Sequence, residues 1–451
     1  MRKLLILCTL LVLFSGIGFC LADESRPVEQ SAGQAQPGRA ASGVDTGDTS
    51  WVLISTALVL LMTPGLAFFY GGMVGRKNIL GMLMQCFGLL CVVSIQWVVF
   101  GYSLSFAPGN SFWGGFEWAG LKGVGFEPFK EYAPTIPHQL FALFQMMFAI
   151  ITPALIIGAF AERMKFSAFL IFMILWCTFV YDPICHWVWG VGGWLRELGA
   201  LDFAGGIVVH ISAGIAALTT ALLIGKRKGT GNKVILPHNL PFTILGTALL
   251  WFGWFGFNAG SALGANQLAV NAFFVTNTAG AAAGLTWAIL DWILQKKPTM
   301  LGTATGAIGG LAAITPGAGF VSPMSAMAIG ILASIFCYYA VTVLKPKFGY
   351  DDALDVFGVH CIGGVWGVLA TGLFASKVVN PAGADGLFFG NPKQFLIQLF
   401  AAAIALAYSL VGSLIIYKVV DLLITVRVKE REEIMGLDLT QHHENAYTIM
   451  E

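Results

Sequence analysis

Asp202-Phe-Ala-Gly-Gly-Ile-Val-Val-His210 sets a carboxylate eight residues ahead of an imidazole, and Gly214 follows four residues after the histidine. Asp352-Ala-Leu-Asp-Val-Phe-Gly-Val-His360 repeats the spacing, again with a glycine, Gly364, four residues on. Both histidines fall inside apolar stretches of about 20 residues, long enough to cross a bilayer. Working outward, such stretches recur at 51–74, 79–106, 138–161, 166–188, 203–225, 240–261, 269–294, 300–316, 323–344, 355–375 and 395–426, eleven candidate spans. The two matching segments are the fifth and the tenth. A half built from five spans is odd, so the second half must enter the membrane from the opposite side. The expected fold is an all-α polytopic membrane protein of eleven transmembrane helices, two inverted-topology five-helix repeats plus a final long helix. Transport proteins built this way place their pathway between the halves, near the midplane.

Composition agrees with this reading. Of 451 residues, 57% are hydrophobic and 11% charged, against about 25% charged in soluble globular chains. A soluble enzyme, a disordered hub and a disulfide scaffold are excluded, and a net charge of +1 gives no electrostatic reason for nucleic acid to bind. Most of the cysteines lie inside apolar runs, where a thiol behaves as a small hydrophobe. No C-x-x-C spacing is present, so no metal site and no cofactor is expected.

The ends and the gaps give the expected organisation. Met1-Arg2-Lys3, an apolar core from Leu4 to Leu13 and the small-residue end Cys20-Leu21-Ala22 read as a cleavable signal peptide over 1–22. A flexible extracytoplasmic tail over 23–50 follows, then the membrane domain over 51–426 and a cytoplasmic regulatory tail over 427–451. One set of gaps holds Arg76, Lys77, Arg163, Lys165, Lys226, Arg227, Lys228, Lys233, Lys296, Lys297, Lys345 and Lys347; the other holds Lys122, Lys130, Arg196, Lys377 and Lys393. The richer side is expected to be cytoplasmic. The chain then has its N-terminus outside and its C-terminus inside a cytoplasmic (inner) membrane.

Of the seven histidines, only His210 and His360 lie well inside spans. Ionisable groups at that depth are costly and mark function. Burial disfavours the imidazolium, so the expectation is a neutral pair sharing one N–H···N bond, its outer edges presenting one donor and one acceptor. Such a pair suits a small polar molecule that both donates and accepts. Packing histidines, each bonded to a backbone carbonyl, are the bland alternative. Phe148, Trp189 and Phe257 stand beside small or polar residues, and Phe257 leads into Asn258-Ala-Gly-Ser261 at a helix end. Aromatic faces attract cations by about 0.5–2 kcal/mol per contact, although packing or an interfacial belt explains any single ring. Asp202, at a helix start, is read as a cap that adds negative potential rather than as a direct ligand.

These residues closely resemble signatures of the ammonium transporter (Amt/Mep/Rh) family, in its bacterial Amt branch. The resemblance rests on the Asp202–His210 and Asp351–His360 segments, on Trp254-Phe-Gly-Phe257-Asn-Ala-Gly-Ser261-Ala and on Gln145-Met-Met-Phe148-Ala-Ile-Ile-Thr-Pro. It implies a homotrimer with one pore per subunit for ammonium/ammonia, with methylammonium as an analogue. By motif, Trp189, Phe148 and Ser261 would form a recruitment site supported by Asp202. Phe148 and Phe257 would form a gate, and His210 and His360 would line the pore. The tail residues Gly436, Asp438, Glu444 and Tyr447 resemble the family's segment that docks PII-type signal proteins, with His443 where a glycine is expected. No catalytic residue is implied. Two other readings are open: an ammonium sensor of the same fold, and a bis-histidine haem protein for electron transfer.

Overall fold

The structure, a computed structural model, describes residues 43–229 and 236–447. The signal peptide, the tail as far as residue 42, and Lys233 lie outside the described residues. Among the described residues, ten helices are long and apolar enough to cross a membrane: α1 (Thr46–Met73), α2 (Ile79–Phe106), α3 (His138–Ala159), α4 (Phe166–Leu198), α5 (Gly206–Ile224), α6 (Leu240–Gly260), α7 (Gln267–Gln295), α9 (Pro323–Phe348), α10 (Phe357–Phe374) and α11 (Pro392–Leu423). The remaining expected span is the shorter α8 (Met300–Ile314), packed between α7 and α9. Two short helices, α12 (Glu430–Met435) and α13 (Leu437–His442), follow α11.

Local chemistry accounts for several boundaries. α1 begins at Thr46, ahead of the expected 51, because Asp45 caps it, its carboxylate accepting the Asp48 N–H at 2.8 Å. Asn239 and Asn266 cap α6 and α7 in the same manner. The apolar run of α8 continues through Pro316, but the helix ends at Ile314, since proline has no N–H with which to extend the ladder.

The internal repeat appears in detail that spacing alone did not reveal. π-helical turns interrupt α4 at Cys177–Tyr181 and α9 at Ala340–Leu344, the fourth spans of the two halves. They also open α5 at Gly206–Ile211 and α10 at Phe357–Cys361, the fifth spans. His210 and His360 both sit in such turns, which recur at functional sites. Each helix start is tied to its aspartate at the same offset. Asp202 accepts the Ile207 N–H at 2.7 Å and Asp352 accepts the Phe357 N–H at 2.7 Å, each five residues on.

α5 and α10 cross antiparallel, the π-helical start of each packing on the remainder of the other. The two repeat glycines make this possible. A Cβ on Gly214 would lie 2.3 Å from the backbone nitrogen of Cys361, and one on Gly364 would lie 2.9 Å from the Cβ of His210. Each helix thus presents bare backbone to the other's histidine turn.

One end of the bundle carries the tail. Arg227 grips Asp351 through two guanidinium nitrogens, at 3.0 and 2.8 Å, and reaches Glu162 at 3.0 Å. Arg427 donates to the Ile224 carbonyl and pairs with Glu433 at 2.9 Å. Asn78 and Asp438 clamp α13 onto the start of α2: Leu437 N–H donates to Asn78 Oδ1 and Gly81 N–H to Asp438 Oδ1, both at 2.8 Å. The opposite end holds the aromatic-rich loop over 107–137, packed by rings such as Tyr132 on Phe141, 5.0 Å apart.

Candidate functional site

The crossing of α5 and α10 brings His210 and His360 together. Their Nδ1 atoms lie 3.3 Å apart and their rings are nearly parallel, at 15° with centroids 5.3 Å apart. One Nδ1–H donates to the other ring's bare Nδ1, which fixes opposite tautomers and leaves one Nε2 as donor and one as acceptor. Both residues are buried, and His210 Nε2 bonds to no other described residue.

The surroundings are apolar. Met62, Leu66, Ile151, Leu155, Leu250 and Ile308 join Phe257, Trp254 and the two imidazoles around a narrow void. The centre of a water-sized sphere can move through about 10 Å³ of it, which is room for one small molecule. A second cavity of about 40 Å³ continues toward the tail side; the two share Phe69, Ile308 and His360. Its far end reaches Leu354 and Asp355. A haem macrocycle has no room in such a space, and two imidazoles already bonded through their nitrogens cannot sandwich an iron. The electron-transfer reading fails on that geometry.

On the loop side the expected aromatics converge. Phe148 and Phe257 stack at 4.3 Å and 35°, and both are buried. Trp189 meets Phe148 edge-on at 5.8 Å and 89°. Trp187 and Trp194 pack instead on Tyr408 and Phe400. Trp189 is held by its indole N–H, which donates to the Asp202 carbonyl at 2.8 Å. Ser261 lies one turn past Phe257 and donates to its carbonyl at 2.8 Å. From Trp189 through Phe148 and Phe257 to His210, whose ring lies 6.2 Å from Phe257, the site residues form one column.

Asp202 is spent on backbone. Its Oδ1 accepts the Gly205 and Gly206 N–H groups at 2.9 and 2.5 Å, and its Oδ2 accepts those of Ile207 and Val208 at 2.7 and 3.1 Å. It fixes the turn that delivers His210 and carries the carbonyl that holds Trp189.

Two residues of the site had no role assigned from sequence. Trp254 stacks on His210 at 5.5 Å and 25°, anchored by its N–H to Thr315 Oγ1 at 2.9 Å. Its place three residues before Phe257, on the same helix face, is the signal that could have found it. Asp355 reaches the tail-side cavity through a left-handed backbone turn, φ 61°; nothing in its spacing marks that. The tail residues sit apart from the column. Asp438 is buried against α2, Tyr447 hydroxyl meets His238 Nε2 at 2.9 Å, and Glu444 donates its N–H to the Asp438 carbonyl at 3.2 Å. Gly436 takes φ +105°, and a Cβ there would lie 2.6 Å from Lys77.

Comparison with known proteins agrees with this geometry. The family described as Ammonium Transporter Family matches residues 50–447. An ammonium transporter of Bacillus subtilis is 57% identical over 402 residues, covering 89% of this chain and 98% of that one. The crystal structure of Candida albicans Mep2 superposes with a TM-score of 0.82 at 38% identity, over 90% of this chain and 91% of that chain. A solved chain titled Sensor Amt Protein has a TM-score of 0.80 at 28% identity, over 88% and 98%. The chain is a multi-pass membrane protein and belongs to the ammonium transporter family.

Proposed function

We propose that this chain recruits ammonium at the loop side, strips a proton from it and conducts ammonia past His210 and His360. The observation that carries this reading is the histidine pair, whose shared Nδ1 bond lines an apolar void no larger than one small molecule. In this reading the loop side faces outward and the tail side faces the cytoplasm, in the inner membrane. The working unit is a homotrimer with one pore per subunit.

The steps follow from the column of residues. A cation approaching the outer end meets the faces of Trp189 and Phe148 and the Ser261 hydroxyl, in the field of Asp202. π contacts of this kind contribute about 0.5–2 kcal/mol each. Beneath them the stacked Phe148 and Phe257 close a dry constriction, where a full charge would carry a heavy desolvation cost. Loss of a proton before passage removes that cost. Ammonia then accepts from one Nε2–H and donates to the other, bare Nε2, each bond weak enough to release it. Potassium has no proton to shed, so the same constriction rejects it. Transport is favoured over sensing by the 57% identity to a transporter, against 28% to the solved sensor chain.

The test is methylammonium uptake in transport-deficient cells. His210→Ala and His360→Ala are each expected to lower the rate at least about tenfold, about 1.4 kcal/mol in the barrier, and to relax rejection of potassium. Unchanged rate and selectivity in correctly folded variants would sink the assignment. Current recordings on the same variants decide whether net charge crosses. We also propose that the tail engages a cytoplasmic PII-type signal protein. The tail's regular packing on its own chain then gives such a partner a defined surface, and pull-down with Tyr447→Ala as a weakened variant tests it.

A further inference from the structure

We infer that Asp355 holds the cation at the tail-side mouth of the pore, where departing ammonia regains its proton, and that Lys345 sets how tightly. The inference rests on the transport reading above.

The two pore cavities are lined by four ionisable side chains: His210, His360, Tyr70 and Asp355. Tyr70 is committed, its hydroxyl donating to the Leu155 carbonyl at 2.9 Å. Asp355 is therefore the one carboxylate, among the described residues, that the path meets. Its position is built. Leu354 is pinned by its N–H to the Gly158 carbonyl at 3.1 Å, and the Asp355 carbonyl accepts the Val359 N–H at 3.0 Å. The left-handed backbone between them turns the chain at the mouth, a conformation that Asp and Asn tolerate better than other non-glycine residues.

Lys345 Nζ lies 2.5 Å from Asp355 Oδ1, and the two side chains are 24% and 28% exposed. Oδ2 accepts no hydrogen bond from the described residues. The carboxylate is thus paired with a single cation through one oxygen, in contact with water, and free on the other oxygen. Ammonia leaving the apolar cavity meets water here for the first time. Its lone pair takes a proton, an N–H bond forms as a water O–H bond breaks, and the hydroxide left behind is buffered by the cytoplasm. A carboxylate within reach favours the ammonium so formed, and Lys345, carrying like charge to it, limits how long it stays. The two ends of the path then differ in kind: aromatic faces at the outer end, a lysine-trimmed carboxylate at the inner.

The experiment uses the full chain in right-side-out and inside-out vesicles, with methylammonium half-saturation read from each face. Asp355→Asn keeps the left-handed turn and removes the charge. It is expected to raise the tail-face value about five- to tenfold, as loss of a focusing charge does, with the loop-face value within about twofold. Lys345→Gln is expected to lower the tail-face value and steepen its dependence on ionic strength. Equal shifts on both faces, no shift in Asp355→Asn, or both variants moving the same way would overturn the inference. Wild-type chain that moves methylammonium from neither face would overturn the transport reading instead.

Discussion

Asp202 shows how a single residue sets the geometry of the column without touching the void. Four N–H groups converge on its two oxygens. Asp202→Asn would turn an NH2 group toward two of these donors, leaving them buried and unpaired. A loss of about 1–3 kcal/mol is expected, read as a lowered unfolding temperature in detergent, together with slower transport as His210 loses its register. The histidine pair and the stacked phenylalanines were legible as residues, because ionisable groups deep in apolar spans and rings beside small residues are rare enough to notice. Trp189 was named with them, but spacing along the chain does not by itself set it apart from its neighbours. Trp187, Trp189 and Trp194 all lie near one helix end, and the three-dimensional course of α4 sets the ring against Phe148 apart from those against Tyr408 and Phe400.

At the scale of elements, the crossing of α5 and α10 depends on two glycines that admit no side chain. Gly214→Ala would drive a methyl group into the backbone of Cys361, where neither partner can yield. Overpacking of this kind costs about 1–3 kcal/mol, and transport should fall with it as the imidazoles are pushed out of bonding range. Gly125→Ala is the matched control, since a Cβ there meets nothing within 4 Å; thermal unfolding of the two variants side by side decides the point. The repeated Asp–His–Gly spacing makes this pairing of helices readable in the chain itself. The π-helical turns were not readable, because they change hydrogen bonding without changing the apolar pattern. Nor was the early end of α8, whose apolar residues run past the proline that stops it.

Over the whole molecule, the tail is fastened to loops between spans far apart in sequence, which no local pattern announces. The family resemblance placed Gly436, Asp438, Glu444 and Tyr447 in a docking segment, and the fold adds that Gly436 lies against Lys77, Asp438 accepts the Gly81 N–H and Tyr447 meets His238 of the same chain. Asp438→Ala removes the acceptor for Gly81 and should speed protease cleavage between residues 427 and 447 about fivefold, in line with a cap of about 1 kcal/mol. The same face carries a pH signature. Burial alone would raise the Asp351 carboxyl, but the hydrogen bonds and charge of Arg227 outweigh it and hold the group at about 2, below its unfolded value of about 3.9. Its stabilising contribution is therefore complete above about pH 4 and is lost as pH falls toward 2. Protease resistance of the tail face should follow that window, and Asp351→Asn should abolish the dependence.

The reciprocal glycine–histidine crossing also bears on how a cell assembles this protein. The two imidazoles of the void come from the fifth and tenth spans and its apolar lining from α1, α3, α6 and α8, so a nascent chain with half its spans inserted has one imidazole and an incomplete lining. The histidine pair itself forms only once α10 has entered and closed against α5. The site is therefore completed late in synthesis, when only α11 and the tail helices are still to follow.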